Sequence, residues 1–387
     1  MRLIWAVLAV WAIFGFAHAD VRLDMTYLLV EQPQPPTLSG LDPLPDTLGI
    51  DGAHAGLQDN ITTGRFLGHN YGLDVVRVPV GGDAVAAAQA VLGTTQIVVM
   101  DAPADILLQI ADLPDARGAV LLNVAAEDVA LRAENCRANI LHTVPSVAMR
   151  TDALAQFFVK KRWDDLVMIV GEHPGDVAYA DAMLRSLQKF GLKLSGQKTW
   201  AFDADMRRNA AQEVPLFTQD FGDYNALIVA DELGDFGRYI IYNTWQARPV
   251  VGSEGLTAVT WSPVVEQWGA AQLQSRFTDE FRRSMAQKDY AAWAAVRAVG
   301  EAVTRTNSND PATLRSYMLS DQFELAGFKG RPLTFRTWNG QLRQPIPLVH
   351  PRALVAQAPL EGFLHQRTEL DTLGLDQPES NCTEFAQ

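Results

Sequence analysis

Short apolar runs alternate with stretches of helical spacing along this chain, and the alternation happens twice. The first series starts with "VRLDMTYLLV" at Val21, a strand that ends in the Pro-rich loop "EQPQPPTLSGLDPLPD". A helix is predicted from Leu48 to Ile61, followed by "YGLDVVRVPV", "GDAVAAAQAVLG", "TQIVVMD", "ADILLQIADLPD" and "GAVLLNVA" as strand, helix, strand, helix and strand. Strands this continuously apolar, separated by helices, need both faces of a parallel sheet covered. The break at Thr63-Gly64 is then a helix-to-strand turn, and Gly64 suits a left-handed cap.

The second series runs from "TDALAQFFVKKRW" through "DLVMIVG", "DVAYADAMLRSLQKFG", "LKLSGQKTWAF", "MRRNAAQEVPLFTQD" and "NALIVAD". It continues with a helix over "GDFGRYIIYNTWQA", the strand "RPVVGS" and an amphipathic helical pair over 264–306. "PLTFRTWNGQLRQPIPLVH" alternates about Asn339-Gly340, a strong hairpin signal. The fold class is therefore α/β, with two lobes joined by short crossings. The predicted limits are 20–145 for the N-terminal lobe, 146–345 for the C-terminal lobe, and 346–387 for a return segment and tail packing back on the N-terminal lobe. In such sheets ligands sit beyond the carboxyl ends of the strands, which here face a shared cleft.

The first 19 residues carry an export pattern. Arg2 precedes the uncharged run "LIWAVLAVWAIFGF", and "AHA" ends at Ala19 as a cleavage site. The run is short for a membrane span, which needs about 20 residues, although an uncleaved anchor is the alternative. Cleavage after Ala19 would place a chain of 368 residues in the periplasm and remove only Arg2, moving the net charge from -13 to -14. That acidity argues against nucleic acid or an anionic membrane as a partner. In an oxidising compartment Cys136 and Cys382 can pair, stapling the tail to the middle of the chain; two unrelated thiols are the alternative. The sequon Asn60-Ile61-Thr62 falls in the first predicted helix of an exported, bacterial-looking chain, so glycosylation is not expected.

Signatures of catalysis are sparse. The sequence has no Gly-x-Ser-x-Gly elbow, Walker A loop or His-Glu-x-x-His. Gly81-Gly82 lacks dinucleotide spacing, and His54, His142 and His173 are isolated. Asp231-Glu232 closes a strand and is the one carboxylate pair an enzyme could use, but no nucleophile or metal-ligand set accompanies it. Neither an enzyme nor a required cofactor or metal is expected.

The order of segments resembles the leucine/isoleucine/valine-binding type of periplasmic solute-binding protein. The likeness is carried by "GLQDNITTGRFLGH", "NILHTVPSVAMRTDALAQFF", "VVGSEGL" and "DYAAWAAVRAVGEAV". A narrower likeness lies in "CRANILHTVPS", "ADELGDFGRYIIYNTWQARPVVGSEGL", "EQWGAAQLQSRF" and "GFKGRPLTFRTWNGQLRQP". These are similar to the subgroup associated with pyrroloquinoline-quinone-dependent alcohol catabolism. The resemblance implies a type I clamshell of two Rossmann-like lobes, the binding component of an ABC importer. It implies a monomer that closes on a small ligand and docks to inner-membrane permease subunits, with a quinoprotein dehydrogenase as a further partner. A quinone carrier or sensor that never meets a permease is the alternative.

The family's first-lobe site corresponds to Asp101-Ala102-Pro103 and Asn123-Val124-Ala125-Ala126, which makes Asp101, Asn123 and Ala125 candidate ligand residues. Glu254, after Ser253, corresponds to the family's amino-group acid. The acid at Asp101 sits poorly with a ligand carboxylate, so the site reads as rebuilt. Pyrroloquinoline quinone is the leading expected ligand, with a branched-chain amino acid or an alcohol-derived acid or aldehyde as rivals. A planar tricarboxylate needs aromatic faces and cationic forks. Of the nine Trp, Trp261 and Trp268 are the candidate faces, while Trp245 and Trp293 read as core; Arg137, Arg150 and Arg248 are the candidate forks.

Overall fold

The computed structural model describes residues 21–33, 44–201 and 206–385, with side chains from 209 in the last segment. The expected export signal lies outside them. No helix among the described residues is long and apolar enough to cross a membrane.

The first lobe is built on β1 (Val21–Val30), β2 (His69–Val78), β3 (Ile97–Asp101), β4 (Val120–Asn123) and β5 (Ile140–His142), all parallel, in the order β2-β1-β3-β4-β5. Successive side chains of a strand point to opposite faces. Accordingly Leu23, Met25 and Tyr27 enter one core with Ile97 and Val99, whereas Leu28, Val30, Val98 and Met100 enter the other. Helices α2 (Ala84–Leu92) and α3 (Ala104–Ala111) cover the second of these faces. Helix α1 (Ile50–Gly64) covers part of the first.

The second lobe repeats the plan with β6 (Asp165–Val170), β7 (Lys193–Thr199), β8 (Ala226–Ala230) and β9 (Val250–Gly252), ordered β7-β6-β8-β9 and parallel. Helices α4 (Val147–Lys161) and α5 (Pro174–Lys189) pack on Leu166, Met168, Ala226 and Ile228. The opposite face holds Val167, Ile169, Leu227 and Val229 against α6 (Met206–Thr218) and the short α7 (Gly237–Ile240). The predicted helix over "GDFGRYIIYNTWQA" is only that one turn, and Trp245 beyond it is 61% exposed. Trp245 is therefore not core; Trp293 is, with its indole Nε1 donating to Asp59 (2.9 Å).

The predicted lobe limits are corrected by the packing. After β10 (Thr257–Ala258) the chain returns to the first lobe. There α8 (Ala270–Phe281), α9 (Gln287–Thr306), α10 (Pro311–Met318) and the hairpin strands β11 (Leu325–Ala326), β12 (Pro332–Phe335) and β13 (Leu342–Arg343) complete the face that α1 covers only in part. The physical reason is apolar area: Trp293, Val296, Phe277 and Phe335 can be buried only against that open face. The chain then crosses back, and β14 (Ile346–His350) and β15 (Ala353–Ala358) join β10 in an antiparallel sheet packed on α4. The tail packs on the second lobe through Leu373, pairs Asp371 with Arg336 and Arg343 of the first-lobe hairpin, and reaches the first lobe again through Ser380, Cys382 and Phe385. Residues 346–373 thus pack mainly on the second lobe, through Ile346, Leu348, Ala358 and Leu373, while Val349, Leu354 and Asp371 touch the first-lobe elements, so the expected return to the N-terminal lobe is met only in part. Three strand-end crossings, near residues 143–146, 258–259 and 343–346, join the two bodies.

Small residues set the seam between α1 and α9. A Cβ on Gly52 would collide with the Asp289 backbone, and one on Gly300 with the Asn60 side chain. Asn60 itself is buried and donates to the Val296 carbonyl (2.8 Å), so the sequon is a helix-to-helix bridge with no room for a glycan. Gly64 is not the left-handed cap. The cap residue Arg65 is right-handed, positive φ falls on Gly68 (φ 73), and Gly64 is needed because the His69 carbonyl approaches it closely.

Cys136 and Cys382 are joined in a disulfide with a Cα–Cα distance of 5.6 Å across a sequence separation of 246. It ties the tail to the loop before β5, closing most of the chain into a ring. Cys382→Ser is expected to lower unfolding free energy by roughly 2–4 kcal/mol, read by urea denaturation without reductant. The parent protein measured with reductant should lose the same amount.

Candidate functional site

A cleft of ≈ 930 Å³ opens between the lobes where the two sets of strand ends meet. From the first lobe it is lined by the ends of β1 and β3 (Leu29 to Gln32, Asp101 to Asp105) and by the loop after β4 (Ala125 to Asp128). The second lobe contributes Val147, the first turns of α5 (Gly175, Ala178, Tyr179) and Glu232 after β8. Lys288, from the first turn of α9, closes one side.

The loop after β4 is shaped from beneath. Asn123, fully buried, accepts the amides of Ala125 (3.1 Å) and Ala126 (2.9 Å) on Oδ1 and donates from Nδ2 to the Ala126 carbonyl (2.8 Å). His142, kept neutral by burial and the nearby Arg132 charge, supports Asn123 from below (2.9 Å). Arg132 pins the same loop, donating to the carbonyls of Ala126 (2.8 Å), Asp128 (3.0 Å) and Val144 (3.0 Å) and to Gln341 (2.9 Å). Asn123 thus positions the cleft wall and does not line it, while Ala125 does.

At the floor of the cleft, beside the first crossing, Arg150 lies between carboxylates from both lobes. Its guanidinium donates to Glu127 of the first lobe (2.7 Å) and forks onto Glu232 of the second (2.8 and 3.2 Å). It also donates to the Ala258 carbonyl (3.2 Å) and lies over the Tyr179 ring (5.4 Å). A cation in the first turn of α4 is opposed by the helix dipole, so these carboxylates are what hold it there. Ser253 donates to Glu232 (2.8 Å) and accepts the Asp231 amide (3.0 Å), and Asp176 accepts the Glu232 amide (2.6 Å).

One guanidinium shared by two carboxylates splits their titrations. Burial alone would raise Glu232, but the Arg150 charge and hydrogen bonds, with Ser253, hold it below its ordinary 4.5. Glu127 is raised, by burial first, with the Glu232 charge adding to it and Arg150 opposing. The Tyr179 hydroxyl, buried at the cleft wall, has no hydrogen-bond partner, and burial pushes its titration up so that it stays protonated.

The other expected ligand residues separate into two groups. Asp101 lines the cleft, but its carboxylate is occupied by the Tyr27 hydroxyl (2.9 Å) and Lys288 Nζ (2.9 Å). Trp261 is corrected to a core residue: it is 3% exposed, stacked on Tyr290 (4.8 Å), with Nε1 on Gln274 (3.2 Å). On the same Tyr290 ring sits the buried Lys329, whose Nζ reaches Gln344 (2.6 Å) and the Pro345 carbonyl (3.1 Å) at a crossing. Trp268 lies on the first-lobe surface beside Gly330, with φ 56 and away from the cleft lining. Arg137 pairs with Asp112 (2.5 and 2.9 Å) outside the cleft, and Arg248 is exposed beside Gln246. Glu254 is half-buried against Gly237 and is not among the lining residues. Asp231 accepts the amides of Asp235, Phe236 and Gly237, so it folds its own loop. Sequence reasoning missed Glu127, Tyr179, Lys288 and Arg132; Glu127 and Glu232 carried the signal of acids just past strand ends.

No family model matches the chain, and no curated protein does. Among solved structures, a branched chain amino acid ABC transporter periplasmic ligand-binding protein from Burkholderia xenovorans aligns with a TM-score of 0.72 at 14% identity, covering 94% of this chain and 100% of that one. A leucine-, isoleucine-, valine-, threonine- and alanine-binding protein from Brucella ovis, in a closed conformation, gives 0.64 at 14% identity over 86% and 90%. An ABC transporter substrate-binding protein from Desulfitobacterium hafniense in complex with Leu gives 0.61 at 16% identity over 87% and 99%. The two-lobe architecture is that of the type I periplasmic binding proteins.

Arg150→Met leaves Glu127 and Glu232 facing each other without a cation. The expected cost is roughly 2–3 kcal/mol at neutral pH, at or just below the low end for removing one partner from a buried pair, because both carboxylates keep some solvent. Glu232 titrates below its ordinary value in the folded protein, so its contribution is complete at neutral pH and is lost as pH falls through that depressed range. The difference between variant and parent, read by urea denaturation, should therefore shrink on acidification.

Proposed function

We propose that this chain is an exported solute-binding protein that takes one small molecule between its lobes and presents it to an inner-membrane ABC permease. The observation that carries the reading is the cleft itself, whose floor joins Glu127 of one lobe and Glu232 of the other through Arg150. A ligand seated there touches both bodies, so it favours whichever lobe arrangement gives it more contacts. The solved proteins of this fold named for branched-chain amino acids, and the one holding Leu, support a small ligand of the amino-acid kind.

Pyrroloquinoline quinone receives less support. A tricarboxylate needs cationic forks and flat faces, yet Trp261, Trp268, Arg137 and Arg248 lie outside the cleft, and Arg150 is already bound by two carboxylates. The quinone and the dehydrogenase partnership remain readings of the sequence resemblance alone.

The test uses the chain from Asp20 onward in a thermal-shift screen, with small-angle scattering on any ligand found. A saturating ligand at about 100 times its Kd should stabilise the protein by about 2.7 kcal/mol and contract its radius of gyration. Ala125→Trp, which fills the cleft beside the loop after β4, should weaken that ligand at least tenfold. Undiminished affinity in that variant would place binding elsewhere and overturn the reading.

A further inference from the structure

The cleft carries far more negative than positive charge. Among its described lining residues seven are Asp or Glu and two, Arg77 and Lys288, are cationic. Both cations have partners: Lys288 is on Asp101, and Arg77 donates to the Asp46 carbonyl (2.9 Å) and lies near Glu31 (3.7 Å). The amides of Ala125 and Ala126, which could hold an anion, are taken by Asn123. Of the helix starts at the cleft, α3, α5 and α9 bear an acid in the first turn, Asp105, Asp176 and Asp289, and at α4 the Arg150 guanidinium is already held by Glu127 and Glu232. A carboxylate entering this space would lose its hydration and meet like charge, with no uncommitted cation to offset either cost.

A second observation points the same way. Tyr179 is 1% exposed, lines the cleft, and no described residue bonds its hydroxyl. A buried hydroxyl without a partner is costly unless something arrives to bond it. Glu127, across the same floor, gives only Oε2 to Arg150, and no described residue bonds its Oε1. The two carboxylates share one bonded guanidinium, and Arg132, the other cation acting on Glu127, does so only through space because its own donors go to carbonyls and Gln341.

Resting on the solute-carrier reading, we infer that the ligand is an organic amine without a carboxylate, its ammonium group held between Glu127 and the Tyr179 hydroxyl and its chain running into the acidic first-lobe wall. An ammonium offers three donors and no acceptor, which suits an open carboxylate oxygen and a phenol oxygen. A second amine at the other end would meet the exposed acids Asp105 and Asp128, so a diamine fits better than a monoamine. The net acidity of the cleft would also concentrate such cations at low ionic strength.

The test is calorimetric titration of the exported chain with 1,4-diaminobutane, butylamine, leucine and succinate, at two salt concentrations. The diamine should bind more tightly than butylamine, more weakly at high salt, and at least tenfold more tightly than leucine; succinate should not bind. Glu127→Gln should weaken the diamine tenfold or more. Tyr179→Phe should weaken it several-fold while keeping or raising the melting temperature of the unliganded protein, because the hydroxyl it removes is buried without a partner. Binding of leucine or succinate in preference to the diamine would overturn the inference and leave the carrier reading standing. Absence of diamine binding also overturns it. If, besides, no ligand in the wider screen contracts the two lobes, the carrier reading fails as well.

Discussion

Among the described residues Arg150 is the cation that carboxylates of both lobes share, and much of the cleft depends on where it sits. It lies one turn into α4, whose start Ser146 caps by accepting the Met149 amide (3.3 Å), so the helix delivers the guanidinium directly to the crossing. The carboxylates that meet it come from strand ends more than twenty residues away on one side and more than eighty on the other. Each is held by a further layer: Glu232 by Ser253 and the backbone reach of Asp176, Glu127 by a loop that Asn123 and Arg132 shape from below. Because Glu127 gives Arg150 only one oxygen and feels Arg132 only through space, its second oxygen stays open to the cleft. That open oxygen is what a ligand can use.

The lobes themselves are not contiguous pieces of chain, and the reason is area. A sheet of five parallel strands has two apolar faces, and α2 and α3 cover one of them. Helix α1 alone is too narrow for the other, so α8, α9 and the hairpin strands return from beyond residue 259 to cover it. The close seam of α1 and α9 needs Gly52 and Gly300, and the buried Asn60 bridges it. As a result three crossings run side by side, and Lys329, Tyr290 and Trp261 stack beside the third of them. The disulfide brings the tail over from the second lobe to the first as a fourth link.

Much of the fold was legible because periodicity reports local burial. Strands such as "ALIVA" and "VLLN" are buried on both faces, and both read as continuous apolar runs. The hairpin at Asn339-Gly340 was legible because its turn demands a positive φ that Gly340 supplies (φ 68). The placement of residues at the candidate cleft was legible in part: Asp101, Ala125, Arg150 and Ser253 line it or are bonded to residues that do, as residues just past strand ends and crossings should be. The aromatic half of the reading was not. Trp261 and Trp268 are near strand ends in sequence, but the chain had already turned back to the first lobe, and a tryptophan carries no mark that separates a core face from a cleft face.

Local chemistry written in the sequence determined the α/β class, the two parallel sheets, the export-like start and the pair of cysteines available for a bridge. Each rests on neighbours within a few residues or on composition. The tertiary structure alone decided which lobe receives residues 259–343, which carboxylates share Arg150, and that the Tyr179 hydroxyl is left without a partner. Those outcomes depend on distances between residues far apart in the chain, and side-chain charge and burial acquire their energies only once such distances exist.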